Sequence, residues 1–246
     1  MDFGSSDIDT VAEVIDLVGD QVMAAYRASG PYSPDVVSPE LLAEALRQFV
    51  DVVRRIEAGA GETGETTAEA DITELGDHAL SLLQDLSQWA AQLRLAEARE
   101  RLDALSVPVA LWVARRGGYI NDLEPVVNTL AVLANSTQDP ATLAELSRVM
   151  GEITAAVAPA LRQDLDRSEP GRPWRILNLN RGIVATRTQD PQVMTAVFDE
   201  LVHNLPEDAP AFFAEGMEQM DALNYPAEVR EVVENYHRRF VVKTLH

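Results

Sequence analysis

Apolar residues recur every three or four positions along almost the whole chain, and this spacing is typical of amphipathic helices. The first segment carries such a stripe over almost three heptads, at Ile8, Val11, Ile15, Val18, Val22 and Ala25. No stretch alternates apolar and polar residues with period two for long enough to form a strand. The sequence therefore predicts an all-α fold.

Turn and linker signals divide the chain into three parts. A loop rich in Gly and Pro ends the first helix, and Ser38 followed by proline begins the second, which predicts an antiparallel helical hairpin over residues 1–58. Residues 59–71 are rich in Gly, Glu and Thr and contain no large apolar residue, which predicts a flexible linker. Residues 72–246 are predicted to form an all-helical body of several helices.

One tetrapeptide, Thr-Gln-Asp-Pro, occurs twice in the predicted body, at Thr137 to Pro140 and at Thr188 to Pro191. In both copies Asp is a suitable N-cap and Pro suits the first helical position. The paired helices around the two copies resemble α-hairpin repeats of the HEAT or armadillo kind. Good capping chemistry alone also explains the coincidence, so an irregular helical bundle stays an equal alternative.

Composition excludes several classes of function. The chain has 246 residues with 40 Asp and Glu against 20 Lys and Arg, a formal charge of −20 that argues against nucleic acid as the partner. It has no Cys, which excludes disulfides and thiolate metal sites, and no apolar run of about 18 residues that would predict a membrane span. The acidic start is unlike a secretory signal, so we expect a cytoplasmic protein with no membrane partner. The single lysine, Lys243, and abundant Ala and Leu suggest a GC-rich bacterial genome, and the acidity fits a saline cytoplasm as well as a basic partner.

Two Glu-x-x-His pairs, Glu200/His203 and Glu234/His237, have the spacing found in helical di-iron proteins. Helical projection places His203 nearly opposite the apolar face of its helix and turns Glu234 away from the other apolar face. We therefore predict solvated surface residues, no metal site and no cofactor. The chain contains neither a nucleophile elbow nor a phosphate-binding loop with its lysine, and no catalytic residue is predicted.

The segment from Pro170 to Gln189 contains four arginines and no acidic residue. Its helix is apolar nearly all round, with Ile183 on one face, which predicts a central helix packed on both sides. Arg181 projects into the middle of an apolar face, where a guanidinium needs a compensating group. An internal carboxylate is the ordinary solution. The functional alternative is a site for an anion or for a partner's carboxylate, formed by Arg175, Asn178, Asn180 and Arg181.

A second candidate is a stripe of aromatic residues and methionines near the end of the sequence. Such a stripe is most often part of the core, but the same spacing can also line a groove for a partner helix. The stripe comprises Phe212, Phe213, Met217, Met220 and Leu223, and is followed by Tyr225 and Pro226.

The sequence thus favours a non-catalytic interaction protein, either a scaffold or an accessory subunit, that docks a protein partner. A hairpin of about 50 residues has little core of its own, so its heptad stripe is expected to bind the partner or to form a homodimer. The alternative is a helical enzyme or accessory subunit that binds an anionic small molecule near Arg175 and Arg181, or a metal at the two Glu-x-x-His pairs. A mimic of DNA that occupies a basic protein has no specific pattern to support it.

Overall fold

The computed structural model describes residues 7–30, 37–62, 69–165 and 167–241, and within them it contains twelve helices. They are α1 (Ile8–Ala28), α2 (Pro39–Glu62), α3 (Glu69–Gln92), α4 (Ala96–Ala104), α5 (Ser106–Arg115), α6 (Glu124–Ser136), α7 (Pro140–Ala156), α8 (Pro159–Arg162), α9 (Pro173–Thr188), α10 (Pro191–Asn204), α11 (Ala209–Leu223) and α12 (Ala227–Phe240). The described residues form no strand, and their single isolated bridge joins Ile120 to Val157. The all-α prediction is confirmed.

None of the described helices is both long enough and apolar enough to cross a lipid bilayer.

The two Thr-Gln-Asp-Pro copies form the same local structure before α7 and before α10. The carboxylates of Asp139 and Asp190 each accept a hydrogen bond of 2.8 Å from a backbone N–H in the following turn. The hydroxyls of Thr137 and Thr188 accept hydrogen bonds of 3.1 Å from the backbone N–H groups of Asp139 and Asp190, respectively. Both tetrapeptides therefore cap a helix as their chemistry predicts. The repetition of whole helix pairs stays a prediction.

The chain divides into two compact units. The first comprises residues 1–129 together with 155–158, and the second comprises residues 130–154 together with 159–246.

Within the first unit the heptad stripe of α1 is buried. Helix α1 packs along α2 and also contacts α3 and α4, which leaves Ile15 and Val18 inaccessible to solvent. The Tyr26 ring meets the Trp89 ring edge-on, with 5.1 Å between their centroids. The hairpin predicted for residues 1–58 is therefore packed against other helices of its unit, because α3 and α4 supply the core that two helices alone lack.

The helices extend into both ends of the segment predicted as a linker. Helix α2 continues to Glu62 and α3 begins at Glu69, so residues 59–62 and 69–71 are helical. Once a helix is nucleated, each added residue gains a hydrogen bond without a new nucleation cost, which lets α2 continue through glycine. Residues 63–68 of the predicted linker lie outside the described residues.

Within the second unit the core of α10, α11 and α12 is aromatic. Phe213 stacks on Tyr236 with 5.0 Å between ring centroids and meets Phe198 edge-on at 5.1 Å. The Tyr236 hydroxyl donates a hydrogen bond of 2.7 Å to Asp199. Burial, reinforced by this contact, raises the pKa of Tyr236 well above its usual range, so it stays a neutral donor.

Candidate functional site

Arg181 lies on α9 in the second unit and is only 8% exposed. Its two terminal nitrogens donate to the two carboxylate oxygens of Glu200 on α10, and the Nη2–Oε1 distance is 3.2 Å. The guanidinium also lies against Gly151 of α7, where a Cβ atom would come within 2.8 Å of Nη2. The absence of a side chain at residue 151 thus makes room for an internal arginine–carboxylate pair, the ordinary solution for a buried charge.

The other arginines at the start of α9 are also paired inside the second unit. Arg175 donates from Nε to Asp208 at 2.6 Å and from Nη1 to the Pro170 carbonyl at 3.0 Å. Arg172 pairs with Asp164, with an Nη2–Oδ2 distance of 2.8 Å, and with Asp208 at 3.3 Å. Its hydrogen bond to Asp164 raises the pKa of Arg172. These pairs hold the first turn of α9 to the preceding loop and to the start of α11.

The asparagines predicted beside these arginines serve the packing of α9. Asn178 donates from Nδ2 to the Trp174 carbonyl at 2.9 Å, and its Oδ1 accepts from Asn204 at 2.8 Å. Asn180 is half-buried on the same helix. Arg175, Asn178, Asn180 and Arg181 thus share one helix, but both guanidiniums already bind carboxylates. An anion at this place would have to displace Glu200 or Asp208, so the geometry favours the structural interpretation.

The two Glu-x-x-His pairs do not come together as a metal centre. Glu200 accepts from Arg181, and Glu234 accepts from Arg230 at 3.1 Å. Among the residues that the structure describes, no group of three or more His, Asp or Glu side chains is placed to hold a metal ion.

A groove with a volume of about 470 Å³ lies in the second unit between α9 and α11. Its floor consists of the aromatic core, through Phe198, Phe213, Met220 and Val233, each at most 2% exposed. These side chains belong to the buried cluster of α10, α11 and α12, so the floor exists before any partner binds. The residues that line the groove are Ile183, Thr186, Arg187, Phe198, Phe212, Phe213, Glu215, Gly216, Glu218, Gln219, Met220, Leu223, Tyr225 and Val233.

The walls of the groove come close together at one point. A Cβ atom on Gly182 of α9 would lie 2.6 Å from the ζ carbon of Phe212 on α11, so the contact depends on glycine. Ile183, the next residue of α9, and Leu223, at the end of α11, also line the groove and are 49% and 62% exposed. A large apolar side chain on each wall is thus left partly in water.

Of the charged residues that line the groove, the arginine is hydrogen-bonded within the unit and the two glutamates have no ion pair with a described residue. Arg187 donates from Nη1 to the Ala134 carbonyl at 2.8 Å and from Nη2 to the Thr137 carbonyl at 2.6 Å. These bonds satisfy carbonyls at and just beyond the C-terminal end of α6, a favourable place for a cation. Glu215 and Glu218 are exposed and form no ion pair with any residue that the structure describes. The groove is therefore apolar with an acidic edge.

The aromatic stripe divides between the buried core and the groove, and its use by a partner helix stays a prediction. Phe213 and Met220 belong to the buried core, whereas Phe212, Leu223 and Tyr225 line the groove. The sequence missed the opposite wall, because it predicted that α9 is packed on both sides. That prediction is wrong at Ile183, which is half-exposed. The apolar face of α9 was the available signal, but periodicity alone does not show whether a neighbouring helix covers a face.

The groove thus combines apolar exposure with uncompensated charge. No protein-family model, curated protein or solved structure matches this chain.

Proposed function

We propose that this chain is a non-catalytic interaction protein, a scaffold or an accessory subunit, that docks an amphipathic helix of a protein partner in the groove between α9 and α11. The observation that carries the proposal is the partial exposure of Ile183 and Leu223 above a floor of buried aromatic residues. Removing such apolar surface from water is the main source of affinity in helix-in-groove recognition.

The length of the α11 wall matches a short helix as the occupant. The wall formed by α11 extends from Phe212 to Leu223, about three helical turns or roughly 17 Å at 1.5 Å per residue. A partner helix presents apolar side chains at positions i, i+3 or i+4, and i+7 over the same length. One such face can therefore contact both Ile183 and Leu223 along the groove.

Two other places considered for a partner are already occupied within the chain. The heptad stripe of α1, expected to form a homodimer or to bind a partner, is buried against α2, α3 and α4. Arg175 and Arg181, the alternative site for an anion or for a partner's carboxylate, bind Asp208 and Glu200. The groove is therefore a better candidate for the docking surface than the α1 stripe or the two arginines.

Site-specific photo-crosslinking in the cells that produce the protein tests this proposal. We expect benzoylphenylalanine at position 223 to capture a protein of defined mass. The matched control is the same amino acid at position 165, because Leu165 is 83% exposed in the same unit but does not line the groove. Capture from both positions alike, or from neither, would overturn the proposal.

A further inference from the structure

We infer that the helix docked in the groove carries arginine or lysine beside its apolar face, placed to pair with Glu215 and Glu218. The inference rests on the proposed function and adds the chemistry of the partner. Both carboxylates lie on α11, three residues apart, and both line the groove. Residues at this spacing lie on neighbouring positions of one helix face.

The inference depends on two properties that Glu215 and Glu218 combine: they line the apolar groove, and they have no ion pair with any described residue, unlike several other carboxylates of the second unit. Glu200 pairs with Arg181, and Asp208 pairs with Arg172 and Arg175. Asp221 and Glu234 both pair with Arg230.

Glu215 and Glu218 thus lack an arginine partner among the described residues, and Glu228 and Glu231 of α12 share this property without lining the groove. Glu215 and Glu218 are the carboxylates that line the apolar groove.

The cation that lines the groove does not compensate them. Both terminal nitrogens of Arg187 donate to backbone carbonyls, those of Ala134 and Thr137. Releasing Arg187 would leave these carbonyls without their donor, which is costly where they are withdrawn from water. Where a bound partner excludes water from Glu215 and Glu218, compensation for them therefore has to come from that partner.

An apolar or acidic helix in the groove would remove water from two carboxylates and offer them nothing in return. That loss disfavours binding, whereas a guanidinium or ammonium group at the edge replaces the lost hydration. Like charges placed opposite each other also exclude wrong partners. The partner we infer is a helix with apolar residues at i, i+3 or i+4, and i+7, flanked by at least one basic residue.

Selection from a displayed library of random peptides, each about 16 residues or four to five helical turns long, tests the inference with the full-length chain as bait. The comparison bait carries Ile183→Glu and Leu223→Glu, both at exposed positions, and its helical content is checked by circular dichroism. We expect enrichment of peptides with the stated apolar spacing and flanking Arg or Lys. We also expect that enrichment to disappear with the comparison bait.

The contribution of the two carboxylates is then measured with the most enriched peptide. Its dissociation constant is determined for the wild-type chain and for the double variant Glu215→Gln and Glu218→Gln. The matched control is Glu228→Gln with Glu231→Gln, two exposed residues of α12 that do not line the groove. We expect the groove variant to bind about 2- to 10-fold more weakly, as for solvent-exposed ion pairs, and the control to bind as the wild type does.

The outcomes separate the inference from the proposed function. Peptides that bind in the groove but carry no basic residue, or that are insensitive to Glu215→Gln and Glu218→Gln, overturn the inference and leave helix docking in place. No enrichment, or enrichment unchanged by Ile183→Glu and Leu223→Glu, overturns docking in this groove and the inference with it.

Discussion

The helical hairpin of the first unit and the α9/α11 pair of the second both carry apolar stripes at helical spacing, yet they use them differently. In the hairpin the stripe of α1 is buried, because α2, α3 and α4 all pack against α1. Between α9 and α11 the Phe212 ring lies close to Gly182, and Ile183 and Leu223 stay partly in water. Periodicity therefore identifies which face of a helix is apolar, whereas the packing of distant helices decides whether that face is covered.

The hairpin and the groove also differ in whether their charged side chains form ion pairs. In the hairpin Arg47 of α2 donates to Asp16 at 2.7 Å and to Asp20 at 3.2 Å, and the hydrogen bond to Asp16 raises the pKa of Arg47. In the groove Glu215 and Glu218 have no ion-pair partner among the described residues. The hairpin thus satisfies much of its own charge, while the groove leaves both its apolar and its acidic groups available.

The largest expected effect is on the hairpin itself. Residues 1–58 in isolation should lose most of their helical structure, because they lack Trp89 and the other side chains of α3 and α4 that cover the hairpin. Most of the stability of a helix in a protein comes from the tertiary packing of its apolar face rather than from its helix propensity. Far-ultraviolet circular dichroism and sedimentation measure the outcome. A stable, folded, helical monomer would show that the hairpin is a domain of its own.

Truncating a side chain in the floor of the groove should lower the free energy of unfolding much more than truncating Leu223, which lies at its exposed rim. Phe213→Ala, which removes a fully buried ring from the aromatic core, should lower the free energy of unfolding by about 3–5 kcal/mol. Leu223→Ala, at a residue that is mostly exposed, should change it by less than about 0.5 kcal/mol. Urea unfolding measures both values. Equal effects would mean that the rim is packed like the core and that no open groove exists.

The pair between Arg181 and Glu200 should have an intermediate effect. Glu200→Gln keeps the shape of the side chain but leaves the buried guanidinium without its charged acceptor. Because Glu200 is half-exposed, we expect a loss of about 1–2 kcal/mol in the free energy of unfolding. The control, Glu231→Gln at an exposed residue of α12, should change it by less than about 0.5 kcal/mol. A wild-type value for Glu200→Gln would show that Arg181 does not depend on this carboxylate.

The smallest expected effects are on the pH dependence of stability, and they have opposite signs at Asp122 and Asp139. Burial raises the pKa of Asp122 in the first unit, so the folded state loses stability as the pH rises from the unfolded pKa through the folded one. The hydrogen bond from Thr142 lowers the pKa of Asp139 in the second unit, so its contribution is present above the unfolded pKa and is lost on acidification.

At neutral pH, Asp122→Asn should therefore stabilise the protein slightly and Asp139→Asn should destabilise it. Thermal unfolding followed as a function of pH measures both, and the two differences should shrink towards low pH. Changes of the same sign for the two variants would contradict the assigned causes.

Much of the fold could be predicted because its causes are local in sequence. The spacing of apolar residues predicts the helices, and the capping chemistry of Asp139 and Asp190 predicts where two of them begin. The boundaries near residues 59–71 were less predictable, because helices propagate into weakly helical segments once they are nucleated.

The candidate site was only half predictable, for a physical reason. The sequence shows that Arg181 needs a carboxylate, but the partner, Glu200, lies on the next helix and is identified only by packing. Similarly, the stripe on α11 predicts one wall of a groove. The other wall depends on whether any helix covers Ile183, which involves residues far away in sequence.

The close contact at Gly182 has a further consequence for the groove. The ring of Phe212 and a methyl group of Leu201 both lie within 3 Å of the position that a Cβ atom at residue 182 would occupy. A methyl group added at residue 182 would therefore require the Phe212 ring and the Leu201 side chain to move, or the helices that carry them to shift away from α9. Substitution at residue 182 thus offers a way to change the width of the groove, and with it the size of the side chains it admits, without altering any residue that lines it.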